Sequence, residues 1–216
     1  MRTPATQSWA LLGTAAASEQ VWGLRQIEFP CGYNIPAGAF AAPDHPLEKP
    51  RPDGSYWAMG GFALEVGRGG KRIPRDTAEQ HVAGYRPWIC VFHDALLDEL
   101  AARTHTIEMW DRGVSIFYGL WREATHSLGE LIPATALADV RTAETRLVTD
   151  AGEAQGEAME AYAYGAEAVL PFMSDFMTLS SGDIYVLGPL VALQVPGTTS
   201  QLTLYSGEIS HTSAVA

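Results

Sequence analysis

Residues 178–188 read TLSSGDIYVLG: a polar turn, an acid, four strand-forming residues and then Gly188-Pro189. Ser180-Ser181-Gly182-Asp183 has the composition of a tight turn, and Ile184, Tyr185, Val186 and Leu187 that of a buried strand. The stretch therefore predicts a turn that launches a core strand. Upstream, residues 156–177 place Ala161, Tyr164, Ala168, Pro171 and Phe172 near helical spacing, with Pro171 marking a start or a break. Downstream, Val191–Val195 and Leu202–Tyr205 supply closing strands.

Further out, Trp57–Val66 reads as a strand that ends in the glycines at 67, 69 and 70. Asp76 is placed to cap a helix over Thr77–Ala83, stopped by Gly84. Tyr85–His93 has the aromatic and β-branched content of a buried strand, and Asp94–Leu100 that of a helix. Ser115–Trp121 reads as another aromatic strand and Arg141–Val148 as a surface strand. Pro30–Gly61 is dense in Pro, Gly and aromatics and reads as an irregular loop as far as Trp57. The pattern is α+β, dominated by sheet, without βαβ alternation and without internal repeats.

The 216 residues fit one domain, 47% of them hydrophobic and only 18% charged, as in a folded globular chain. A formal net charge of −11 supplies no basic stripe for nucleic acid or an anionic membrane. Cys31 and Cys90 are too few for a disulfide framework or a zinc module, which points to reduced thiols and a cytoplasmic location. The N-terminus imitates a signal peptide poorly, since one Arg and Gln7-Ser8 make a weak lead-in. No GxGxxG after a strand, P-loop, HExxH or GxSxG is present, so nucleotide binding, zinc proteolysis and serine hydrolysis have no motif behind them.

Four separated segments, in order, resemble the fumarylacetoacetate hydrolase superfamily. Phe176–Ile184 with Gly188-Pro189 is similar to its closing motif, and Phe62–Tyr85 to its core strand, glycine turn, helix and Gly-Tyr. Cys31-Gly32-Tyr33-Asn34 with Lys49-Pro50 resembles its N-terminal strand, and Glu153-Ala154-Gln155 its Gly-Glu-x-x-Gln segment. The resemblance implies a mixed β-sheet roll of the C-terminal-domain type with a few short helices, residues 1–26 forming a lead-in and 27–216 the domain. It also implies a dimer, and Mg²⁺ or Mn²⁺ chemistry on 2-oxo acids and 1,3-dicarbonyls. The carboxylates for that metal are missing. The family's Glu-x-Glu falls at Met59 and Gly61, its Asp beyond Gly84-Tyr85 falls at Cys90, its His and Glu fall near Gly38 and Ala41, and its Lys near Met109. Glu65 alone keeps the strand parity of Met59 and Gly61, and one carboxylate is a poor site for a hard dication. No family-type metal cofactor is expected.

Two functions follow from a family skeleton without family ligands. One is a metal-independent enzyme for a small unsaturated carbonyl compound, doing isomerase, cyclase or lyase chemistry in a specialised biosynthetic pathway. His93 or Asp111 would serve as acid/base, Arg112 or Arg122 as anion clamp, with Tyr118, Trp88 and Lys49 at the substrate. His93-Asp94 is the most suggestive pair, although neighbours on a strand point to opposite faces. The other is a non-catalytic domain that pairs, as a homodimer or with an active relative, through its aromatic and Arg-rich surfaces. A cavity where His93, Asp111 and Arg112 or Arg122 converge would favour the enzyme, whereas a pocket filled by Trp57, Met59, Trp88 or Met109 would favour the partner.

Overall fold

The computed structural model describes residues 6–11, 15–23, 29–30, 32–51, 53–103, 106–136, 141–162 and 164–216. Cys31 and His105 lie outside the described residues. The turn at 180–183 sets the frame. Asp183 is 1% exposed, and its carboxylate accepts hydrogen bonds from the Ser180 N–H at 2.7 Å and the Gln7 N–H at 2.8 Å. A buried carboxylate is tolerated only with such donors. Gly182 stands at φ 89°, which a side chain would strain, and its N–H donates to the Val66 carbonyl while the Val66 N–H donates to the Asp183 carbonyl. One turn thereby ties together β1 (Ser8–Leu11), β3 (Ser55–Val66) and β9 (Ile184–Pro196).

In the larger sheet β1 runs parallel to β9 and antiparallel to β2 (Gly32–Asn34), and β3 lies between β9 and β4 (Val82–Phe92). The short β5 (His126–Leu128) forms the edge beyond β4, and β6 (Ile132–Pro133) pairs the opposite end of β4. A second, antiparallel sheet has the order β11-β10-β7-β8, from β7 (Glu144–Thr149), β8 (Gly152–Ala158), β10 (Gln201–Ser206) and β11 (Ile209–Ala214). This is the sheet-dominated α+β architecture expected.

The larger sheet is buried on both faces, which is why its strands read as near-continuous apolar runs. On one face Met59, Ala63, Trp88, Cys90, Phe92 and Val186 pack under α1 (Ala16–Trp22) and α3 (Met109–Leu120). On the other, Tyr56, Ala58, Ile89, Val91 and Val195 meet Leu147, Leu202 and Leu204 of the second sheet. A third cluster joins Phe62, Leu64, Tyr185 and Leu187 to the helix α4 (Ala166–Phe176). Between β4 and α3 runs α2 (Ala95–Ala102), capped by Asp94, whose side chain accepts from the Leu97 N–H at 3.1 Å.

Four expectations are corrected. Ser115–Trp121 is helix, not strand: Glu108 and Asp111 form a capping box, and Ile116, Gly119 and Leu120 make a buried stripe at helical spacing. A Cβ at Gly119 would run into the Phe92 ring, so this glycine lets α3 approach the sheet closely. Thr77–Ala83 is not an α-helix but the end of a 3-10 helix, Arg75–His81, followed directly by β4, with Pro74 rather than Asp76 at the cap. Pro171 sits inside α4 instead of bounding it. The lead-in expected over 1–26 holds β1, an interior strand of the sheet, so the fold starts well before residue 27. Among the described residues no helix is long and apolar enough to cross a membrane.

Asp183→Ala strands two buried N–H groups, and unfolding should become easier by at least about 2 kcal/mol. For a chain of this size that lowers the thermal midpoint by about 4–8 °C. A midpoint unchanged in calorimetry would refute the role given to this carboxylate.

Candidate functional site

Met59 on β3, Cys90 on β4 and His126 on β5 are direct cross-strand partners, so they form a row over one face of the sheet, and each is 0% exposed. Trp88, two residues before Cys90, lies on the same face and is equally buried. Its indole N–H donates to His126 Nδ1 at 3.1 Å, and His126 Nε2–H donates to the carbonyl of Leu120 at 3.0 Å. Indole can only donate and a carbonyl can only accept, so the pair fixes one neutral tautomer. The second bond also satisfies a carbonyl at the end of α3, where intrahelical partners run out. Burial pushes His126 down to about 4 and raises the Cys90 thiol, whose Sγ lies 3.9 Å from His126 Nε2. Ile35, Phe92, Ile116 and Leu120 complete the packing, and the Phe40 ring lies 5.3 Å from the imidazole.

This face is where the family resemblance puts the metal, and the residues do not fit one. Met59 and Gly61 offer no side-chain oxygen, Cys90 is held as a thiol by burial, and His126 has both nitrogens engaged. Mg²⁺ and Mn²⁺ call for several oxygen ligands. Glu65, the remaining carboxylate of that parity, is bound to Arg86 Nε at 2.6 Å. Among the described residues no group of three or more His, Cys, Asp or Glu side chains could hold a metal ion.

The residues chosen from sequence are placed elsewhere. His93 follows β4 half-buried, with Nε2 3.3 Å from Asp98 Oδ2 and 3.5 Å from Arg51 Nη1; burial lowers its pKa while Asp98 opposes the shift. Its partner is thus Asp98, one helical turn beyond the expected Asp94. Asp94 caps α2, and burial lifts its carboxyl to about 6. Arg122 is exposed, yet close enough to His93 to depress it further. Asp111 accepts from the Glu108 N–H at 2.9 Å in the capping box, and Arg112 lies against Gly23. Tyr118 is 59% exposed on α3, and Lys49 is half-buried beside the C-terminal strand, its N–H donating to the Ala216 carbonyl. Trp88, expected at the substrate, is instead sealed in the core. None of these residues lines either of the two cavities described next.

A half-open cleft of about 750 Å³ opens where the edge strands of the two sheets meet, β5 on one side and β11 on the other, under the loop 40–45. Ser127 follows His126 on β5 and points to the opposite face, as strand alternation requires. Its Oγ lies 2.8 Å from Nε2 of His211 on β11, and Ser213 Oγ lies 3.5 Å from the same nitrogen. Burial lowers the pKa of His211, which favours the neutral ring, and in its Nδ1–H tautomer Nε2 accepts while the Ser127 hydroxyl donates. Arg86 forms another wall, its guanidinium held by Glu65 and by the Gly129 carbonyl at 3.0 Å, and Glu130 and Asp44 stand at the lining. A neutral imidazole on a hydroxyl, in a cleft that also holds a fixed guanidinium in its wall, can move a proton at a bound carbonyl compound. A second cavity of about 230 Å³ is lined by Tyr85, Tyr162 and Tyr164 with Glu79, Glu167 and Arg141. Neither Ser127 nor His211 stands in a motif, and the signal that joins them is the register that brings residue 127 to residue 211.

The family model described as fumarylacetoacetate (FAA) hydrolase C-terminal matches residues 12–209. No curated protein matches. Among solved structures, the chain is similar to a fumarylacetoacetate hydrolase family protein from Yersinia pestis, with 17% identity and a TM-score of 0.77 over 100% of this chain and 95% of that one. It is also similar to fumarylpyruvate hydrolase from Pseudomonas aeruginosa in complex with Mn²⁺ and pyruvate, with 21% identity, a TM-score of 0.75 and coverage of 99% and 90%. For 5-carboxymethyl-2-hydroxymuconate delta-isomerase from Mycobacterium smegmatis the figures are 18%, 0.66, 98% and 79%. At these identities the likeness establishes the fold.

His126 carries a pH dependence of known sign. Its ordinary value of 6.5 in the unfolded chain drops to about 4 in the folded one, so folding excludes a proton between those values. The stabilisation is intact above pH 6.5 and declines as pH falls toward 4, by about 3 kcal/mol in all. His93 and His211 shift in the same direction and add to the slope. His126→Gln keeps an acceptor for Trp88 and a donor for Leu120 but does not titrate. Denaturant unfolding at stepped pH should show that variant losing less stability across this window; identical slopes would rule out the assignment.

Proposed function

Because the chain belongs to the fumarylacetoacetate hydrolase family, we propose that it is an enzyme of that fold acting on a small carbonyl compound without the family's metal, in the cleft between the two sheet edges. The observation that carries the reading is the Ser127–His211 hydrogen bond inside that cleft, whose wall also holds Arg86. His211 is the proton-transfer group. Neutral near pH 7, it takes a proton from a bound reactant or from the Ser127 hydroxyl and returns it later. Arg86, fixed by Glu65, stands as donor for oxygen that gains negative charge. The names of the hydrolases and the isomerase of similar fold support a carbonyl substrate by analogy only.

The second reading, a non-catalytic partner, has its own observation: Met59 and Trp88 fill the face where the family's metal would sit. The proximity of His93, Asp98, Arg51 and Arg122 at the end of β4 supports a local ion network there more than a reaction centre, since these groups already face one another.

Thermal unfolding against 2-oxo acids, 1,3-dicarbonyl compounds and small esters separates the readings. A ligand at a hundred times its Kd should add about 2.7 kcal/mol. The gain should survive a chelator and vanish in Ala42→Trp, which adds bulk at an exposed position of the loop over the cleft. With a substrate in hand, His211→Gln should cut kcat/KM at least about a hundredfold. Stabilisation by Mg²⁺ or Mn²⁺ alone at micromolar concentration would contradict the metal-free site, and silence from every ligand would favour the partner.

A further inference from the structure

We propose that Ser127 is a nucleophile that is acylated by a small ester bound in this cleft, with His211 as its base; the inference rests on the cleft being the working site. The pair spans 84 residues of sequence and joins two different sheets, so neither local turn geometry nor ladder pairing demands it. The backbone of β5 is already held by β4, where Ile89 faces Ser127. The Oγ–Nε2 distance of 2.8 Å is that of a formed hydroxyl-to-imidazole hydrogen bond, and the Nδ1–H tautomer of the neutral ring leaves Nε2 to accept the hydroxyl proton. Both residues line the cleft, so an acyl carbon can reach Oγ without passing through the core.

The lining charges select the substrate class. Asp44 and Glu130 are acidic, and the Arg86 guanidinium of the lining is paired with Glu65. The site therefore suits a neutral acyl compound better than a dicarboxylate. In the first half of the cycle Ser127 Oγ bonds to the carbonyl carbon while its proton passes to His211 Nε2. The bond from that carbon to the alcohol oxygen then breaks, and the leaving oxygen takes the electron pair and the proton from His211. In the second half His211 takes a proton from water, the hydroxide adds to the acyl carbon, and the Ser127 oxygen leaves with the proton returned by His211, releasing a carboxylic acid. Arg86, at the wall of the same cleft, is the donor available to the oxygen that carries the negative charge in both adducts.

The test is a fluorophosphonate ester added to the intact wild-type protein, read by whole-protein mass and by peptide mapping. One adduct at Ser127 is expected, absent in Ser127→Ala and formed at least about tenfold more slowly in His211→Gln. Since the adduct is read on the wild type, misfolding of a variant does not decide the result. No adduct under excess reagent, an adduct that persists in Ser127→Ala, or a rate indifferent to His211→Gln would overturn the proposal. Ligand stabilisation that Ala42→Trp abolishes, without any Ser127 adduct, would keep the cleft as a carbonyl site and remove only the nucleophile.

Discussion

The carboxylate of Asp183 holds the fold together at the point where it is topologically weakest. β1 comes from the beginning of the chain and β9 from near its end, and no short connection keeps them in register. A charge removed from water must find donors, and here they are the backbone N–H groups of Ser180 and Gln7. The same group that closes a local turn therefore fixes a contact across 176 residues. The Val66–Gly182 and Asp183–Val66 backbone bonds extend that clamp to β3, the strand whose register positions Met59 opposite Cys90.

From that register follows what fills the face under α1 and α3. Three positions that resemble metal-ligand sites carry Met59, Gly61 and Cys90, and the volume beside them is occupied by Trp88 and His126. Carboxylates crowded there without a cation would repel one another at high cost in a dry interior. A neutral imidazole between one donor and one acceptor carries no such cost, and it anchors the end of α3 as well. Filled by these residues, the face is held by packing.

Much of the skeleton was legible in the sequence for physical reasons. Ser-Ser-Gly-Asp needs a left-handed glycine and a capping acid, and the structure shows both. The apolar runs of β3, β4 and β9 could be read because both faces of their sheet are covered. Ser115–Trp121 misled because aromatic residues favour strands in general, while Gly119 against Phe92 and the Glu108–Asp111 box settle the segment as helix. The cleft was not legible. Ser127 and His211 are ordinary residues in their own segments, and only the meeting of two sheet edges gives them to one another. His93 and Asp94 stood out as neighbours in sequence, yet the helix they precede turns Asp94 into its cap and brings Asp98 to the imidazole.

The three-residue strand β5 serves two masters. His126 closes the interior on one face and Ser127 borders the half-open cleft on the other, with no residue between them. Substitutions can alter either duty alone, but a change in chain length cannot. An insertion or deletion of one residue in the turn at 121–125 would rotate the alternation by half a period, sending a hydroxyl into the dry core and an imidazole into the cleft. The length of that turn is therefore under tighter restraint than its composition, the reverse of what holds for most surface connections.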